Sequence, residues 1–510
     1  MRWSTKLQYL FVACAAVAGY SASRCCRQAE LETANTKLQE EYTRSWDERI
    51  SEEATGNLIF RSLSSLMQMA PNSRYPNGHS IARASIAPGT RLYHGRGNSK
   101  LPVMDWLAFD PEHSQTFLRG QNGTLFTFMT TRELKLIYFD GCSANKRGGV
   151  ADTQDVLIWG EVGHGREPWR SDPELDRITD ACAWGRKYGI DGFVRMEYDF
   201  EIMYCDFSQG LTLVSSLDTP SDARLAPPLM EVRHAGGRHN AFPGESRVQV
   251  DSATMISFFD PALTSLVAAR RGLPRTQYRI AHISGEDTAR VRADISEMVA
   301  RDPTGKSGID WRTLAQAIQE RFGDRLLYIR HLLHLARLVA ADTDASLQVH
   351  AQFQSITAEI HKQLLVSLSP YMPREGIGEP TWFEAIARGC TTSFTPRFPE
   401  ARFTRQERLL NYAVEEVLHE VCRVYTEVWR DAFGLDVRAK GSNFDASIAS
   451  PMLAKWRDAF DALIEWLDWP IWLKCDPACA VNEFCEVPQL APWQAGEARP
   501  RCIAIDSDWV

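Results

Sequence analysis

The sequence predicts an α+β protein: an N-terminal mixed α/β domain, then a mainly helical domain, then a short Cys-rich tail. Three observations predict it. Strand-like and helix-like pieces alternate between residues 90 and 218. Apolar residues then recur at helical spacing almost without a break from about 250 to 470. Finally Cys475, Cys479, Cys485 and Cys502 crowd into the last stretch. The expected organisation is a leader at 1–23, a helical and loop segment at 24–89, the α/β domain at 90–218, a linker at 219–249, the helical domain at 250–470 and a disulfide tail at 471–510. With 44% of its 510 residues hydrophobic, the chain can bury more than one core.

The first residues have the three parts of a signal peptide. Arg2 and Lys6 supply positive charge, residues 7–20 are almost uncharged, and Ser21, Ala22 and Ser23 offer small side chains for cleavage. That apolar run falls short of the roughly 18–20 residues that span a bilayer, and no later run is longer and apolar. The expectation is therefore soluble secreted or secretory-lumen cargo, with an uncleaved anchor as the alternative. A net charge of −8 without a Lys/Arg-rich stretch excludes a general nucleic-acid or anionic-membrane binder. Of twelve cysteines, Cys14 lies in the leader, and most of the remainder should pair in an oxidising lumen. The four tail cysteines admit three pairings, and only their first gap fits the tight spacing of a zinc module. Two disulfides are expected there, and no metal site. The odd remainder leaves one thiol unpaired or joined between chains, with adjacent Cys25 and Cys26 as candidates. Asn122, Gly123 and Thr124 form an N-glycosylation sequon.

Element by element, polar residues 30–53 read as a solvated helix or stalk, and 56–69 as a packed helix. Residues 70–89, loaded with Pro, Gly, Asn and Ser, read as a loop. A strand over 91–94 follows. Asp110 and Pro111 have the N-cap and first-turn chemistry of a short helix. Residues 124–131, 134–140 and 156–159 read as strands. Ser171 and Glu174 form a capping box, opening a helix with Leu175, Ile178, Cys182 and Gly185 on one face. Residues 193–207 and 211–214 read as a closing strand pair, and Cys182 and Cys205 as a disulfide bracing it. Helices are expected at 311–322, 325–341, 347–368, 405–433 and 451–466.

Residues 196–202 read Met-Glu-Tyr-Asp-Phe-Glu-Ile. In an extended strand Glu197, Asp199 and Glu201 share one face. The plain reading is a solvated face. Yet three aligned acids repel each other and disfavour sheet pairing, which points to binding a hydroxylated substrate, holding a cation or acid/base work. Upstream, Gly95 beside His94 lets a backbone come close to a ligand next to an imidazole; the plain reading is a strand-end turn. Asp140, Asp152, Asp155 and Asp206 add acids to the same domain, so a carbohydrate-active carboxylate pair is a further reading. Gly-x-Ser-x-Gly, a P-loop, His-Glu-x-x-His, an EF-hand loop and Gly-x-Gly-x-x-Gly do not occur.

Together these residues resemble the layout of ADP-ribosyltransferases of the diphtheria-toxin and poly(ADP-ribose) polymerase type. Those enzymes carry His-Gly on an early strand, an aromatic residue on a following element and a glutamate on a late strand. The resemblance implies NAD as substrate. His94 and Gly95 would hold its nicotinamide-ribose portion, Trp106 would lie near the stacking position, and Glu201 would bind the ribose with Glu197 or Asp199 beside it. His94 and Trp106 stand closer in sequence than in the polymerases. Residues 106–113, 138–141, 153–156, 192–197, 204–208 and 263–268 are also similar to a family of secretory filamentous-fungal proteins without an assigned activity. That second resemblance implies a fungal, secretory origin and supplies no mechanism. Three readings follow: a non-catalytic secreted or luminal protein, an NAD-cleaving or ADP-ribosyltransferase-like enzyme, or a carbohydrate-active enzyme.

Overall fold

The computed structural model describes residues 44–504, apart from 119–122, 146–147, 164–173, 220–231, 233–234, 236–243, 341–346, 396–401, 434–445 and 488–498. The expected leader at 1–23, Cys25, Cys26, Asn122 and Ser171 lie outside the described residues.

The chain opens with α1 (Gly56–Ser64) and α2 (Met69–Arg74), then enters the sheet through β1 (Ser80–Ile86), β2 (Arg91–Arg96) and β3 (Asp105–Ala108). Next come α3 (Pro111–Gln115), β4 (Thr124–Thr130), β5 (Leu134–Phe139), α4 (Asp152–Ile158) and α5 (Glu174–Arg186). Strands β6 (Gly192–Met196), β7 (Phe200–Tyr204) and β8 (Leu211–Asp218) follow, and β9 (Val248–Val250) and β10 (Ile256–Ser257) return to pair with β1. The strand order is β10-β1-β5-β6-β7-β3-β2-β4-β8. Among the described pairs, β5 and β6 alone run parallel. A parallel neighbour needs a long crossover, and α4 and α5 lie in it.

Both faces of the central strands β5, β6 and β7 are buried, so these strands lack a polar side, whereas edge strand β8 is largely exposed. Leu136, Tyr138, Val194, Ile202 and Tyr204 join the core shared with the helices beyond. Ile137, Phe139, Phe193 and Met203 join a second core under α4 and α5, closed by α6 (Thr264–Arg270) and α7 (Gly285–Ala300).

The helical part is α8 (Trp311–Ala340), α9 (Leu347–Leu368), α10 (Pro380–Thr391), α11 (Arg405–Phe433) and α12 (Ala446–Leu467). Its centre is α11, where Leu410, Val414, Val417, Val421, Tyr425 and Val428 are buried at spacings of three and four residues. Against α8 and α11 packs α1, so buried that even Arg61 is 4% exposed. No described helix is long and apolar enough to cross a membrane. The tail is a hairpin of β11 (Glu483–Glu486) and β12 (Arg501–Ala504), pinned by Cys475–Cys485 and Cys479–Cys502. Cys182–Cys205 forms as expected from sequence, and Cys390–Cys422 adds a pair that sequence did not indicate. The four disulfides among the described residues fit an extracellular or lumenal protein.

Several local expectations are corrected. Residues 70–89 hold α2 and the sheet strand β1, not only loop. Residues 156–159 belong to or follow α4, whose first turn carries Asp152 and Asp155, acids that suit a helix N-terminus. A short buried apolar run has the same hydrophobicity as strand or helix, so periodicity could not separate them. The expected closing pair is instead the β6–β7 hairpin, while β8 crosses to the far side of β4. Leu175 is 67% exposed and leaves the buried face of α5 to Arg177, Ile178, Ala181 and Cys182. The break expected near 323 is absent: α8 is continuous through Gly323.

Cys390 and Cys422 clip α10 to α11 across 32 residues. Replacing both by Ala should cost roughly 3–4 kcal/mol through the freed unfolded chain. A lowered Tm with an unchanged circular-dichroism spectrum at room temperature is the expected result.

Candidate active site

The site is built around β7, which lies between β6 and β3. Alternation places Phe200, Ile202 and Tyr204 toward the helical core and leaves Glu201 on the opposite face with Met203. Glu201 is paired in register with Arg195 on β6 and with Ala108 on β3. Ala108 is small and leaves space on one side. Arg195 fills the other.

Arg195 is 2% exposed, and its Nε donates to Glu201 Oε1 at 2.8 Å. Its Nη2 donates to Glu174 Oε2, and its Nη1 reaches Gln154 Oε1 at 3.4 Å. Glu174, in the first turn of α5, is also 3.3 Å from Arg177 Nε, and Arg177 Nη1 bonds Asp155 Oδ1 at 2.6 Å. Burial works against the Arg195 charge, but Glu174 and Glu201 more than offset it and hold its pKa above the ordinary arginine value. Burial pushes Glu201 up to about 7; Arg195 opposes this, while the charges of Glu197 and Glu174 reinforce it.

Strands β2 and β3 share a single paired position, Tyr93 with Ala108. They diverge, and a cavity of about 380 Å³ opens where they part. Its volume falls in the roughly 300–1,000 Å³ range of small-molecule sites. His94, Gly95, Trp106, Glu197 and Glu201, named from sequence, all line it. His94 Nδ1 is 2.7 Å from the Trp106 carbonyl, which fixes the ring proton there. Its Nε2 is 3.5 Å from Asp105 Oδ2 and has no hydrogen-bond partner among the described residues. Burial holds His94 below the usual histidine value, so the ring is neutral and Nε2 is an acceptor. The buried indole Nε1 of Trp106 likewise has no hydrogen-bond partner among the described residues. The cavity thus offers an acceptor, a donor and a carboxylate.

Three expectations change. The acids at 197, 199 and 201 do not share one strand face. Residues 197–199 form the turn of the β6–β7 hairpin, with Glu197 N donating to Asp199 O at 2.9 Å. Asp199 turns inward, accepts from Phe200 N at 2.7 Å and does not line the cavity. Nor is that face solvated, since Glu201 is 5% exposed. Gly95 serves packing first: a Cβ there would meet the Ser114 carbonyl oxygen at 2.0 Å, so glycine lets α3 lie on β2. The other acids are engaged elsewhere. Asp140 accepts the N–H groups of His79 and Ser80, Asp152 pairs with Arg279, Asp155 with Arg177, and Asp206 accepts from Ser208. None of them lines the cavity.

Sequence reasoning missed Arg195, Glu174 and His113. His113, on α3, sits 3.7 Å from Glu201 Oε2, and burial holds it near 4, hence neutral. A signal existed for Arg195, a charged residue inside the apolar run Gly-Phe-Val-Arg-Met. A strand buried on both faces keeps such a charge only with a partner.

Residues 118–237 match a family model described as the YPL277C N-terminal domain. That span includes Glu174, Arg195, Glu197 and Glu201, and excludes His94 and Trp106. The chain is 31% identical to "Uncharacterized protein YOR389W" of Saccharomyces cerevisiae over 31% of this chain and 33% of that protein. It is also 31% identical to "Uncharacterized protein YPL277C" of the same yeast, over 31% of this chain and 42% of that protein. The chain therefore spans between a third and about two fifths of the curated relatives it matches. No solved structure matches. The fungal likeness thus rests on relatives whose names state no activity, and the ADP-ribosyltransferase resemblance on residues of this chain alone.

Arg195→Met should leave Glu201 buried without its cation and cost about 3–5 kcal/mol, read as a large fall in Tm. Glu201 also makes stability pH-dependent in a definite sense. Between its ordinary value of 4.5 and about 7, the folded protein retains a proton that the unfolded chain has released. Glu201 therefore lowers stability as pH rises through that window. In Glu201→Gln this contribution vanishes, so Tm should fall less from pH 5 to about pH 8 than in the wild type.

Proposed function

We propose that the cleft between β2 and β3 binds a nicotinamide nucleotide and cleaves its N-glycosidic bond. One observation carries the reading. His94, Trp106 and Glu201 come from three strands and line the same cavity, and Glu201 is a buried carboxylate with a guanidinium behind it.

The chemistry follows from charge. In the substrate the nicotinamide ring is a cation joined to ribose C1′. When that bond breaks, its electron pair moves to the ring nitrogen, which leaves as neutral nicotinamide. The positive charge passes to the ribose. Glu201, aimed at the cleft and not free to rotate away from Arg195, stabilises that charge where water cannot screen it. His94 Nε2 accepts a hydrogen bond from a ribose hydroxyl, and the Trp106 indole offers a face to the cationic ring. Water or an acceptor side chain then attacks C1′ and gives up its proton. Only the ionised carboxylate serves, so the rate should rise with pH through about 7.

Location belongs to the same proposal. The charged, apolar and small-residue sequence of 1–23 and the disulfides support delivery to the secretory lumen or outside the cell.

Incubation of the purified protein with NAD should release nicotinamide, measured by chromatography. Glu201→Gln, nearly isosteric, should lower the rate by about 10²–10³-fold while the protein stays folded. Equal turnover in that variant, or no release by the wild type, would overturn the assignment.

A further inference from the structure

Away from the cleft, three guanidiniums converge on one carboxylate where α1, α2 and the end of α12 meet. Arg275 Nη1 lies 2.8 Å from Asp468 Oδ2, Arg74 Nη2 3.1 Å from Oδ1, and Arg61 Nε 3.2 Å from Oδ2. The Tyr75 ring sits among them, with Arg61 and Arg275 each 4.4 Å from its centroid. Arg61 is nine-tenths buried and more, yet its Nη2 has no hydrogen-bond partner among the described residues.

Arg61 and Arg275 line a second cavity, of about 30 Å³, with Ser65, Asn72 and Thr276. One wall is Asp140, already occupied by two backbone N–H groups and pushed up to about 6 by burial. Burial, followed by the charge of Arg275, brings Arg61 down to about 9, the mark of a cation short of compensation.

An ion-pair staple needs one guanidinium per carboxylate. Here Arg61 and Arg275 share Asp468, and a buried N–H of Arg61 has no partner among the described residues, an arrangement that costs free energy until an anion fills it. The size is selective. The cavity exceeds the roughly 10–15 Å³ that a single water needs, and at about 30 Å³ against about 380 Å³ it is far too small for a nucleotide. We infer that this pocket binds a small oxyanion, inorganic phosphate or the phosphoryl group of a small ester, through Arg61 and Arg275.

Thermal unfolding of the full chain tests this, with sodium phosphate titrated against sodium chloride at matched ionic strength. Phosphate should raise Tm saturably, by about 2–4 °C, and chloride should not. Arg61→Met keeps the apolar stem and should abolish the shift. Should that variant fail to fold, Thr276→Glu decides, since Thr276 is exposed at the pocket mouth. Its carboxylate takes the anion's place, so Tm without phosphate should rise and the phosphate response should vanish. Glycerol phosphate in a parallel titration separates the two sources: an equal shift assigns a phosphoryl ester, and a shift with inorganic phosphate alone assigns the free ion. A Tm that phosphate moves no more than chloride, or a shift that survives Thr276→Glu, would sink the inference.

Discussion

The buried Arg195–Glu201 pair is the constraint on which the rest of the domain depends. A guanidinium in the middle of a sheet covered on both faces is unfavourable unless its hydrogen bonds are met. The structure meets them from three directions. The β6–β7 register delivers Glu201, the crossover delivers Gln154 on α4, and the first turn of α5 delivers Glu174. Arg177 and Asp155 then hold Glu174 and α4 in place. The disulfide from Cys182 to Cys205 joins α5 to the end of β7, so the two carboxylates on Arg195 are covalently tied. Apolar residues of similar volume would stabilise such a core at least as well. What they would not supply is an oriented carboxylate with a raised pKa.

The cleft itself is a consequence of incomplete pairing. A sheet with both faces packed ordinarily leaves no room for a ligand. Here β2 and β3 pair at one position, and the strands part on either side of it. Ala108 keeps the space beside Glu201 open, and Gly95 lets α3 approach β2 closely enough to cover it. His113 on α3 and Phe117 in the turn after it line the cavity from that side. The helical part contributes by filling the opposite face, through Val194, Met196, Phe200 and Ile202. A void on one side of β7 is tolerable because the other side is densely packed.

Much of this was legible in the sequence, for reasons that differ by element. Long amphipathic helices such as α9 and α11 declare themselves by periodicity, and their limits agree with the structure. The α+β class and the Cys182–Cys205 pair follow from local texture and from placing the two residues on neighbouring elements. His94, Trp106 and Glu201 were legible as a set because a chemical pattern joined them across the chain. The failures share another origin. Strand β1, Ser-Ile-Ala-Arg-Ala-Ser-Ile, is made mostly of small residues and lies between Pro-, Gly- and Asn-rich flanks, and so it reads as loop. The hairpin at 197–199 interrupts an alternation that looked continuous, because turn geometry depends on pairing partners that local sequence does not name. Arg195 and Glu174 are distant until the crossover folds, so their pairing has no local signature.

Two buried charged clusters of this molecule each lie beside a cavity. Around Arg195 the carboxylates of Glu174 and Glu201 flank one guanidinium, with Arg177 also on Glu174, beside a large cavity. Around Asp468 three guanidiniums face one carboxylate beside a small one. Buried charge left unbalanced is costly in proportion to how little water reaches it. A buried polar group without a partner among the described residues, such as Arg61 Nη2, therefore gains most when a ligand of opposite sign meets it. A ribose that takes up positive charge as its bond to nicotinamide breaks suits the carboxylate of Glu201, and a compact anion suits Arg61 and Arg275. If these buried charges served structure alone, hydrophobic replacement of Glu201 or Arg61 would leave binding unaffected and stability intact or raised. A loss confined to ligand response would instead mark the charge as the working part of each site.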